Sequence, residues 1–401
     1  MKNLILTGCT GFLGSHLLVD WISKYPDAKI LCIVRADDDK NAKQRILSSL
    51  ERAIFEANLD YDANSCMKNI QAMIYDFKDI SNSNQIELNN WVNNVDSFDV
   101  IHSAASLSFN ENEKDMVWET NVIGTQNLIK MVTSSNKLTC FNYVSTAYVA
   151  GENDGYVPEA NIETNSFKNT YEYSKWHAER NTINELSELN IPYRIFRPSI
   201  IIANSKTHRM KLLSGFYTVI DKLQKLSQGY NAFDYKVGIL FNSHVCLNLI
   251  NIDIVVSEML AIINKGSPSY NHIYHLTNEK PIHLDDLFHY ISSLSGIQLA
   301  SHEESDNSLP AINQLVTRGI KSYLPYFIYN HDFCRKNVHK FSASHQSNNR
   351  LTVVKLHKLT KSFLESHSNK SSDKRNINSK YINSNVDSSD MNKSILNGIN
   401  A

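Results

Sequence analysis

The stretch Leu4–Leu18, LILTGCTGFLGSHLL, decides the fold of this chain. It opens with an apolar run of the kind that fills a buried parallel strand, and from residue 12 onward apolar side chains recur at helical spacing. Between the two lie Gly8, Gly11 and Gly14, spaced as in a loop that binds a pyrophosphate at a helix N-terminus. Strand, glycine triplet and helix in this order predict a dinucleotide-binding unit.

A second interpretation of the same stretch is a lipoprotein cleavage site, because small residues run into Cys9. A secretory signal needs an apolar core of about 7–15 residues behind a charged start. Only residues 4–6 separate Lys2 and Asn3 from Thr7. This apolar segment is too short, so we favour the phosphate-binding loop.

The composition argues against nucleic acid and a membrane as partners, and it indicates the cellular compartment. The chain of 401 residues has 40 Lys+Arg and 41 Asp+Glu, a formal net charge of -1, which gives no electrostatic basis for binding nucleic acid. It has no apolar run of about 18 residues, so we expect no membrane-spanning helix. The 6 cysteines are scattered without C-x-x-C pairs. This pattern favours reduced thiols, a cytoplasmic location and no metal site.

Apolar runs alternate with amphipathic stretches over the first 200 residues. We predict strands near residues 3–7, 29–35, 70–75, 99–103, 139–145 and 192–197. We predict helices near residues 12–24, 39–57, 85–94, 115–135 and 171–189. Such alternation predicts an α/β fold of the Rossmann type, a doubly wound parallel sheet whose strands all end at one rim. Cofactor and chemistry are expected at that rim.

The remainder of the chain has a looser pattern. Helices near 211–227 and 253–264 and an apolar segment at 247–252 indicate a smaller substrate-binding part. We therefore divide the chain into three parts. Residues 1–200 form an NADP-binding domain with the catalytic residues, and residues 201–345 form a substrate-binding part that returns in places to that domain. Residues 366–401 form a disordered polar tail. The tail is rich in Ser, Asn and Lys and too poor in apolar residues to offset its ordering entropy.

The end of the second predicted strand carries Arg35, roughly twenty residues after the last glycine of the loop. An acid at that position binds the ribose 2′-hydroxyl of NAD, whereas an arginine pairs with a 2′-phosphate. Arg35 thus favours NADP over NAD, although a solvated arginine at a strand end is the simpler alternative. Arg45 on the next helix is a second candidate for the same phosphate, and Asp76, after the third strand, for the adenine amine.

Tyr171 and Lys175 lie four residues apart and so share one face of a predicted helix. An ammonium beside a tyrosine is expected to lower the pKa of its hydroxyl and let the pair transfer a proton. Thr146 stands at the end of a predicted strand, where its hydroxyl can bond a substrate carbonyl. Ser145 takes this role if the strand register differs by one. Asn121, early in another helix, is predicted to hold an active-site water or backbone group.

Six ordered motifs, TGCTGFLG, IHSAASLSF, TNVIGT, NYVSTAYVAG, YEYSK and RIFRPSIIIANSKT, resemble the extended short-chain dehydrogenases/reductases. Within them the chain looks like the branch of fatty acyl-CoA reductases (the male-sterility type) and carrier-protein thioester reductases. The resemblance covers about residues 1–295. It departs from the family at Ala203 and His208, where glycines are common.

The resemblance implies a role for each motif. Thr146, Tyr171 and Lys175 become the catalytic triad. Gly8 to Gly14 bind the pyrophosphate, Arg35 binds the adenosine ribose phosphate, and Pro198 lies by the nicotinamide. The remaining predicted cofactor contacts are Thr10, Phe12, Leu13, Arg45, Asp76, Phe77, Ser103, Ala104, Ala105, Lys175 and Ile200.

The implied activity is NADPH-dependent reduction of an acyl thioester, carried on CoA or on an acyl or peptidyl carrier protein, to an aldehyde or alcohol. One alternative is an epimerase, dehydratase or hydroxysteroid-type dehydrogenase acting on a sugar nucleotide or secondary alcohol. Another is a non-catalytic NADP-sensing module, which the intact triad argues against. The cluster Lys206, His208, Arg209 and Lys211 is either a site for a CoA or phosphopantetheine phosphate or a solvated face.

The segment YLPYFIYNHDFCRK, residues 323–336, mixes aromatic and basic residues. It is compatible with contact to a membrane surface, with a lid over an acyl channel, and with ordinary core packing. The sequence leaves these three interpretations and the oligomeric state open.

Overall fold

A computed structural model describes residues 2–76, 82–211, 215–229, 236–239, 241–242, 244–295, 298–301, 311–342 and 351–364. In chain order, the strands of this part are β1 Asn3–Thr7, β2 Ile30–Val34, β3 Ile70–Ile74, β4 Phe98–His102, β5 Leu138–Val144, β6 Gly155–Val157, β7 Tyr193–Pro198, β8 Ile200–Ile202, β9 Lys236–Ile239, β10 Cys246–Leu247, β11 Leu249–Asn251, β12 His272–Leu276, β13 Ile282–His283, β14 Gln298–Ser301 and β15 His331–Phe333.

The α-helices of the same residues follow in chain order: α1 Phe12–Lys24, α2 Asp39–Ala57, α3 Ala63–Cys66, α4 Asn82–Asn93, α5 Lys114–Trp118, α6 Gly124–Thr133, α7 Thr170–Glu188, α8 Phe216–Gly229, α9 Ile252–Asn264, α10 Leu284–Ser295, α11 Ala311–Ile320, α12 Lys336–Phe341 and α13 353–364. No helix among them combines the length and the hydropathy needed to cross a bilayer.

The central sheet of the described residues has seven strands in the order β12-β7-β5-β4-β1-β2-β3. All of its pairings are parallel. Strands β1, β2 and β4 are buried along their whole length, which explains why most of their residues are apolar. The chain order reverses between β1 and β4, and in such sheets the ligand binds in the crevice at this point. The predicted doubly wound Rossmann-type sheet is confirmed.

Each of the six predicted strands forms with its ends within one residue of the predicted bounds. The seventh, β12, extends the sheet beside β7, so residues 272–276 add to the first domain's sheet from outside the range 1–200. The predicted helix 115–135 is interrupted by a turn of π-helix at Glu119–Ile123, and the helix predicted at 211–227 begins at Phe216. The predicted tail, 366–401, lies outside the described residues.

Helices cover both faces of the sheet. On one face Trp21 of α1 is fully buried in a core that α2 and α9 complete. On the other face Trp91 of α4 packs edge-on against Phe98, 5.8 Å between ring centroids, in a core shared with α6 and α7. Parallel sheets need such cover, because neither face of a buried strand tolerates water. The sheet therefore holds the loops at its rim on a rigid base.

A third core lies beyond the rim and joins segments that are distant in sequence. Tyr217 of α8 packs against Phe363 of α13 with ring centroids 4.5 Å apart. Short strand pairs, β8 with β11 and β6 with β15, link this part to the loops that follow the sheet. One side of the rim is therefore walled by residues from the C-terminal half of the chain.

Candidate active site

A cleft of about 1240 Å³ runs along the rim at the carboxyl ends of the strands. The part lined by the loops after β1, β2 and β4 is called the nucleotide arm below. The part lined by residues from α8, α10 and the segment 321–327 is called the substrate arm. Most predicted site residues line this cleft: Gly8, Thr10, Gly11, Phe12, Leu13, Gly14, Arg35, Arg45, Ser103, Ala104, Ala105, Ser145, Thr146, Tyr171, Lys175, Pro198 and Ile200.

Backbone geometry explains the glycines of the first loop. Gly8 has φ +71, and a Cβ there would lie 2.6 Å from the backbone N of Ala104. A Cβ on Gly14 would lie 2.1 Å from the carbonyl O of Gly8, so only glycine lets α1 start this close to the loop. Gly11 caps α1 without a side-chain hydrogen bond, and the first turn holds no acid. The free N–H groups and the helix dipole thus suit an anion, and the loop fits the pyrophosphate of a dinucleotide.

Two arginines flank the nucleotide arm at the end of β2. Arg35 and Arg45 both have exposed side chains and both line the cleft. The Arg45 guanidinium also donates a hydrogen bond to the Arg35 carbonyl, which joins α2 to the strand end. The pair therefore places two cations where the adenosine end of a dinucleotide is expected.

Buried polar contacts hold the wall opposite the glycine loop. His102 bonds the hydroxyl of Thr7 through Nδ1 at 2.6 Å and that of Thr125 through Nε2 at 2.9 Å. Burial, with a smaller contribution from Lys175, lowers the pKa of His102 to about 3, so the imidazole is neutral. The Thr7 hydroxyl also accepts the N–H of Ala104 at 3.1 Å. This network fixes the start of the loop 103–106.

Asn121 anchors the same loop from the other side. Its side chain donates to the carbonyl of Ser106 at 3.0 Å and accepts the N–H of Ser106 at 2.7 Å. It also donates to the hydroxyl of Ser174 on α7 at 2.9 Å. The π-helical turn that carries Asn121 directs it inward. Asn121 thus holds the backbone of the loop after β4, and it stays a predicted site residue in a positioning role; it is not among the described residues that line the cleft.

The side chains of Tyr171 and Thr146 meet at the boundary of the two arms, and Lys175 lines the same cleft. Tyr171 stands in the first turn of α7, which Asn169 caps by accepting the N–H of Glu172 at 2.9 Å. The Tyr171 hydroxyl is hydrogen-bonded to the side chain of Thr146. Thr146 follows β5 and also accepts the N–H of Tyr148 at 3.2 Å. The strand end and the helix start thus bring two hydroxyl groups together.

The expected lowering of the Tyr171 pKa is wrong. Burial raises the pKa of its hydroxyl, Glu172 raises it further, and only the bond to Thr146 lowers it. The Lys175 ammonium instead donates to the carbonyl of Val144 at 2.6 Å and lies 4.1 Å from the centroid of the Tyr143 ring. Tyr171 therefore keeps its proton at neutral pH, as a proton donor must.

Lys175 is the buried cation of the triad. Burial lowers its pKa to about 7, and Glu179 one turn along α7 raises it. Glu179 is itself held by the Arg197 guanidinium in two hydrogen bonds, at 3.1 and 2.5 Å. The charge on Lys175 thus depends on a buried ion pair beneath the cleft.

Three predicted site residues, Ser145, Asp76 and Phe77, differ from the others in their contacts or their location. Ser145 lines the cleft with a buried hydroxyl that has no hydrogen-bond partner among the described residues. Asp76 is exposed in the loop after β3 and is not among the described residues that line the cleft. Phe77 lies outside the described residues.

The basic cluster does not face the cleft. Arg209 donates to the carbonyl of Phe55 at 2.9 Å and to the side chain of Asn58 at 3.0 Å, both at the end of α2. The Lys211 ammonium lies 4.0 Å from the centroid of the Phe55 ring. None of the four basic residues is among the described residues that line the cleft. Two of them therefore dock the segment 204–211 onto α2.

An aromatic wall beside Tyr171 was missed by sequence reasoning. The Phe109 ring lies 5.9 Å from the Tyr171 ring, 5.8 Å from Tyr323 and 6.1 Å from Tyr326. The Tyr326 hydroxyl accepts a hydrogen bond from Asn169 at 3.0 Å, which ties the segment 321–327 to the start of α7. Phe109 ends the motif IHSAASLSF, and this was the available signal. The two tyrosines belong to the segment 323–336, which here both packs in the core and lines the cleft.

Beyond this wall the substrate arm is apolar. Buried side chains from α8, α10 and β10 face it, and two exposed lysines, Lys222 and Lys321, lie among its lining residues. The apolar lining consists of Phe216, Val219, Leu247, Leu287, Phe288, Ile291 and Phe327. Such a surface binds hydrocarbon better than a polar sugar.

A dinucleotide loop and a hydroxyl-bearing triad on one cleft define the class of short-chain dehydrogenases/reductases. Residues 6–259 match the male sterility protein family of NAD-binding domains. The chain belongs to this family and carries its NAD(P)-binding domain. The family predicted from the six sequence motifs is confirmed.

Relatives with named activities match part of the chain. It is 26% identical over 218 residues to a carboxylic acid reductase of Mycobacterium marinum, covering 51% of this chain and 18% of the relative. It is 29% identical over 237 residues to fatty acyl-CoA reductase 1 of Xenopus laevis, covering 51% and 44%. The chain spans less than half the length of these curated relatives.

A solved structure matches nearly the whole chain. The terminal R domain from the myxalamid PKS-NRPS biosynthetic pathway aligns with TM-score 0.72 over 92% of this chain and 91% of that one, at 19% identity. At this identity the likeness shows the fold alone.

Proposed function

We propose that this chain is an NADPH-dependent reductase of acyl thioesters, which it converts to an aldehyde or alcohol. The observation that carries the proposal is the continuity of one cleft: the glycine loop, the pair Thr146 and Tyr171, and the apolar arm all line it. An acyl chain in the substrate arm would place its thioester carbonyl at the two hydroxyl groups. The names of the relatives, carboxylic acid reductase and fatty acyl-CoA reductase, support this substrate class.

The proposed chemistry assigns each triad residue a task. Bound NADPH would supply a hydride to the carbonyl carbon. Thr146 and Tyr171 hydrogen-bond the oxyanion that develops on the carbonyl oxygen, which is where pre-placed donors stabilise a transition state most. The oxyanion then collapses, the C–S bond breaks, and the thiol leaves with the proton that the reaction consumes. Tyr171 donates a proton to the oxygen if the aldehyde is reduced a second time.

The choice of NADPH over NADH is part of the proposal. Arg35 and Arg45 line the nucleotide arm at the end of β2, and no described acid among the lining residues stands at that strand end. Guanidinium groups bind phosphates in charge-assisted pairs, whereas the ribose 2′-hydroxyl of NAD is hydrogen-bonded by a carboxylate. The two arginines thus support a 2′-phosphate ligand.

The acyl group is proposed to be carried on CoA or on a carrier protein. The apolar lining of the substrate arm supports an aliphatic chain and argues against a sugar nucleotide, whose hydroxyl groups would lose their hydrogen bonds to water there. We keep the cytoplasmic location as a prediction from the cysteine pattern.

The test is a substrate panel. Purified protein is incubated with NADPH and acyl-CoA, acyl-carrier and UDP-sugar substrates while the nicotinamide absorbance and the release of free thiol are followed. With a thioester we expect one NADPH oxidised per thiol released if the product is the aldehyde, and two per thiol if it is the alcohol. Epimerisation of a UDP-sugar without net NADPH oxidation would instead support the sugar-nucleotide alternative.

A further inference from the structure

Arg52 lies on α2, outside every motif of the sequence, and reaches the glycine loop. Its Nη2 donates to the carbonyl of Thr10 at 3.0 Å and of Gly11 at 3.5 Å, and to the hydroxyl of Ser15 at 3.4 Å. Ser15 in turn donates to the carbonyl of Phe12 at 3.1 Å. One guanidinium thus contacts the loop and the first turn of α1.

The direction of the loop carbonyls decides where the neighbouring N–H groups, which can bind an anion, point. In a planar trans peptide the carbonyl and the next N–H point in opposite directions. The Gly11 carbonyl accepts the N–H of Ser15 at 3.1 Å and the Arg52 guanidinium at 3.5 Å, so the N–H of Phe12 points the other way, at the start of α1. That N–H is one of those that a helix start leaves without an intrahelical partner. Phe12 lines the nucleotide arm.

A second contact fixes α2 against α1 one turn further along. Glu56 on α2 bonds Nε2 of His16 on α1 at 3.0 Å, and both side chains are buried. This pair joins the two helices by a hydrogen bond in which Arg52 takes no part, while the Arg52 and Glu56 charges attract each other. The loop contacts of Arg52 are therefore not needed merely to join α1 to α2.

We propose that Arg52 is a positioning residue for the pyrophosphate of the dinucleotide. It braces the Thr10 carbonyl and the Ser15 hydroxyl against α2, and so stabilises the loop in which the backbone bonds Gly11 to Gly8 and Ser15 to Gly11 leave the first N–H groups of α1 at the nucleotide arm. It acts on the part of the ligand that NADPH and NADH share, in contrast to Arg35. The proposal rests on dinucleotide binding by the family and is independent of the acyl substrate.

The experiment compares Arg52→Ala, Arg52→Lys and a control, Lys43→Ala, which removes an exposed cation from the same helix. Affinities for NADPH, NADH and adenosine 2′-monophosphate are measured by calorimetry, and folding by the melting temperature. Arg52→Ala should weaken the binding of NADPH and of NADH by a similar factor of about ten, which is the loss expected when one charged hydrogen bond is removed. Binding of adenosine 2′-monophosphate, which lacks the pyrophosphate, should change by less than about twofold.

Arg52→Lys should fall between wild type and Arg52→Ala, because one ammonium can keep one carbonyl contact. Lys43→Ala should bind all three ligands as wild type does. Unchanged affinities in Arg52→Ala would overturn the proposal, and so would a loss confined to NADPH, which would place Arg52 at the 2′-phosphate. An equal loss of all three ligands with a lower melting temperature would overturn it in favour of a purely structural role. If the wild type binds NADH as tightly as NADPH, the proposed preference for NADPH is wrong. The NADH affinities of the variants still test the role of Arg52.

Discussion

The nucleotide arm and the substrate arm share one cleft but are built in different ways. The nucleotide arm comes from short loops that directly follow β1, β2 and β4, all within the first 105 residues. The substrate arm is lined by side chains of α8, β10, α10 and the segment 321–327, which are more than 100 residues apart at their extremes. Backbone geometry determines the shape of the nucleotide arm, whereas side-chain volume determines the shape of the substrate arm. Substitutions should therefore separate cofactor binding from substrate choice.

The largest effect is expected at the boundary of the arms. Tyr171→Phe should lower turnover by about 10²–10⁴-fold, because the ring still packs against Phe109 while the hydroxyl that serves the oxyanion is lost. NADPH affinity should stay within about twofold of wild type. Steady-state kinetics and calorimetry on the same preparation check this. A fully active variant would contradict the triad mechanism.

A second substitution acts on the nucleotide arm alone. Arg35→Asp should weaken NADPH binding by about 1.5–3 kcal/mol, the value of a charged hydrogen bond, and affect NADH much less. Fluorescence titration with both cofactors measures the difference. Equal losses for both would show that Arg35 does not face a 2′-phosphate.

The pH dependence tests Lys175, which serves both arms. Its pKa is lowered to about 7 by burial, so its protonated fraction falls as pH rises above 7. If the cation is the active form, kcat/KM should fall about tenfold per pH unit well above 7. Tyr171 cannot cause this decline, since its pKa is raised far above that range. In Lys175→Arg, whose side chain stays charged, the decline should move to higher pH; an unmoved decline would assign it to another group.

The smallest effect is expected deep in the substrate arm. Leu247→Phe enlarges a buried side chain that lines this arm. We expect the KM of a long-chain acyl thioester to rise by roughly tenfold relative to a short-chain one, in the range that pocket volume can discriminate. NADPH affinity should not change. Equal effects on both chain lengths would show that the acyl chain does not enter this arm.

The sequence predicted six of the seven strands of the parallel sheet to within one residue at each end, because buried strands are rich in apolar residues; it missed β12. It also predicted the glycine loop, because the three glycines stand between an apolar strand and an amphipathic helix. It did not show that the backbone group held by Asn121 belongs to Ser106. A single polar residue in a helix does not reveal which way a π-helical turn will direct it.

What the sequence determined by itself is what short, local patterns encode: the order of strands and helices, the dinucleotide loop and the pairing of Tyr171 with Lys175 on one helix. Tertiary structure alone decided which distant side chains meet. It brought Phe109 to Tyr323 and Tyr326, and it turned Arg52 toward the glycine loop. Local patterns follow from helix and strand periodicity, whereas contacts across hundreds of residues depend on the packing of whole elements, which no short stretch specifies.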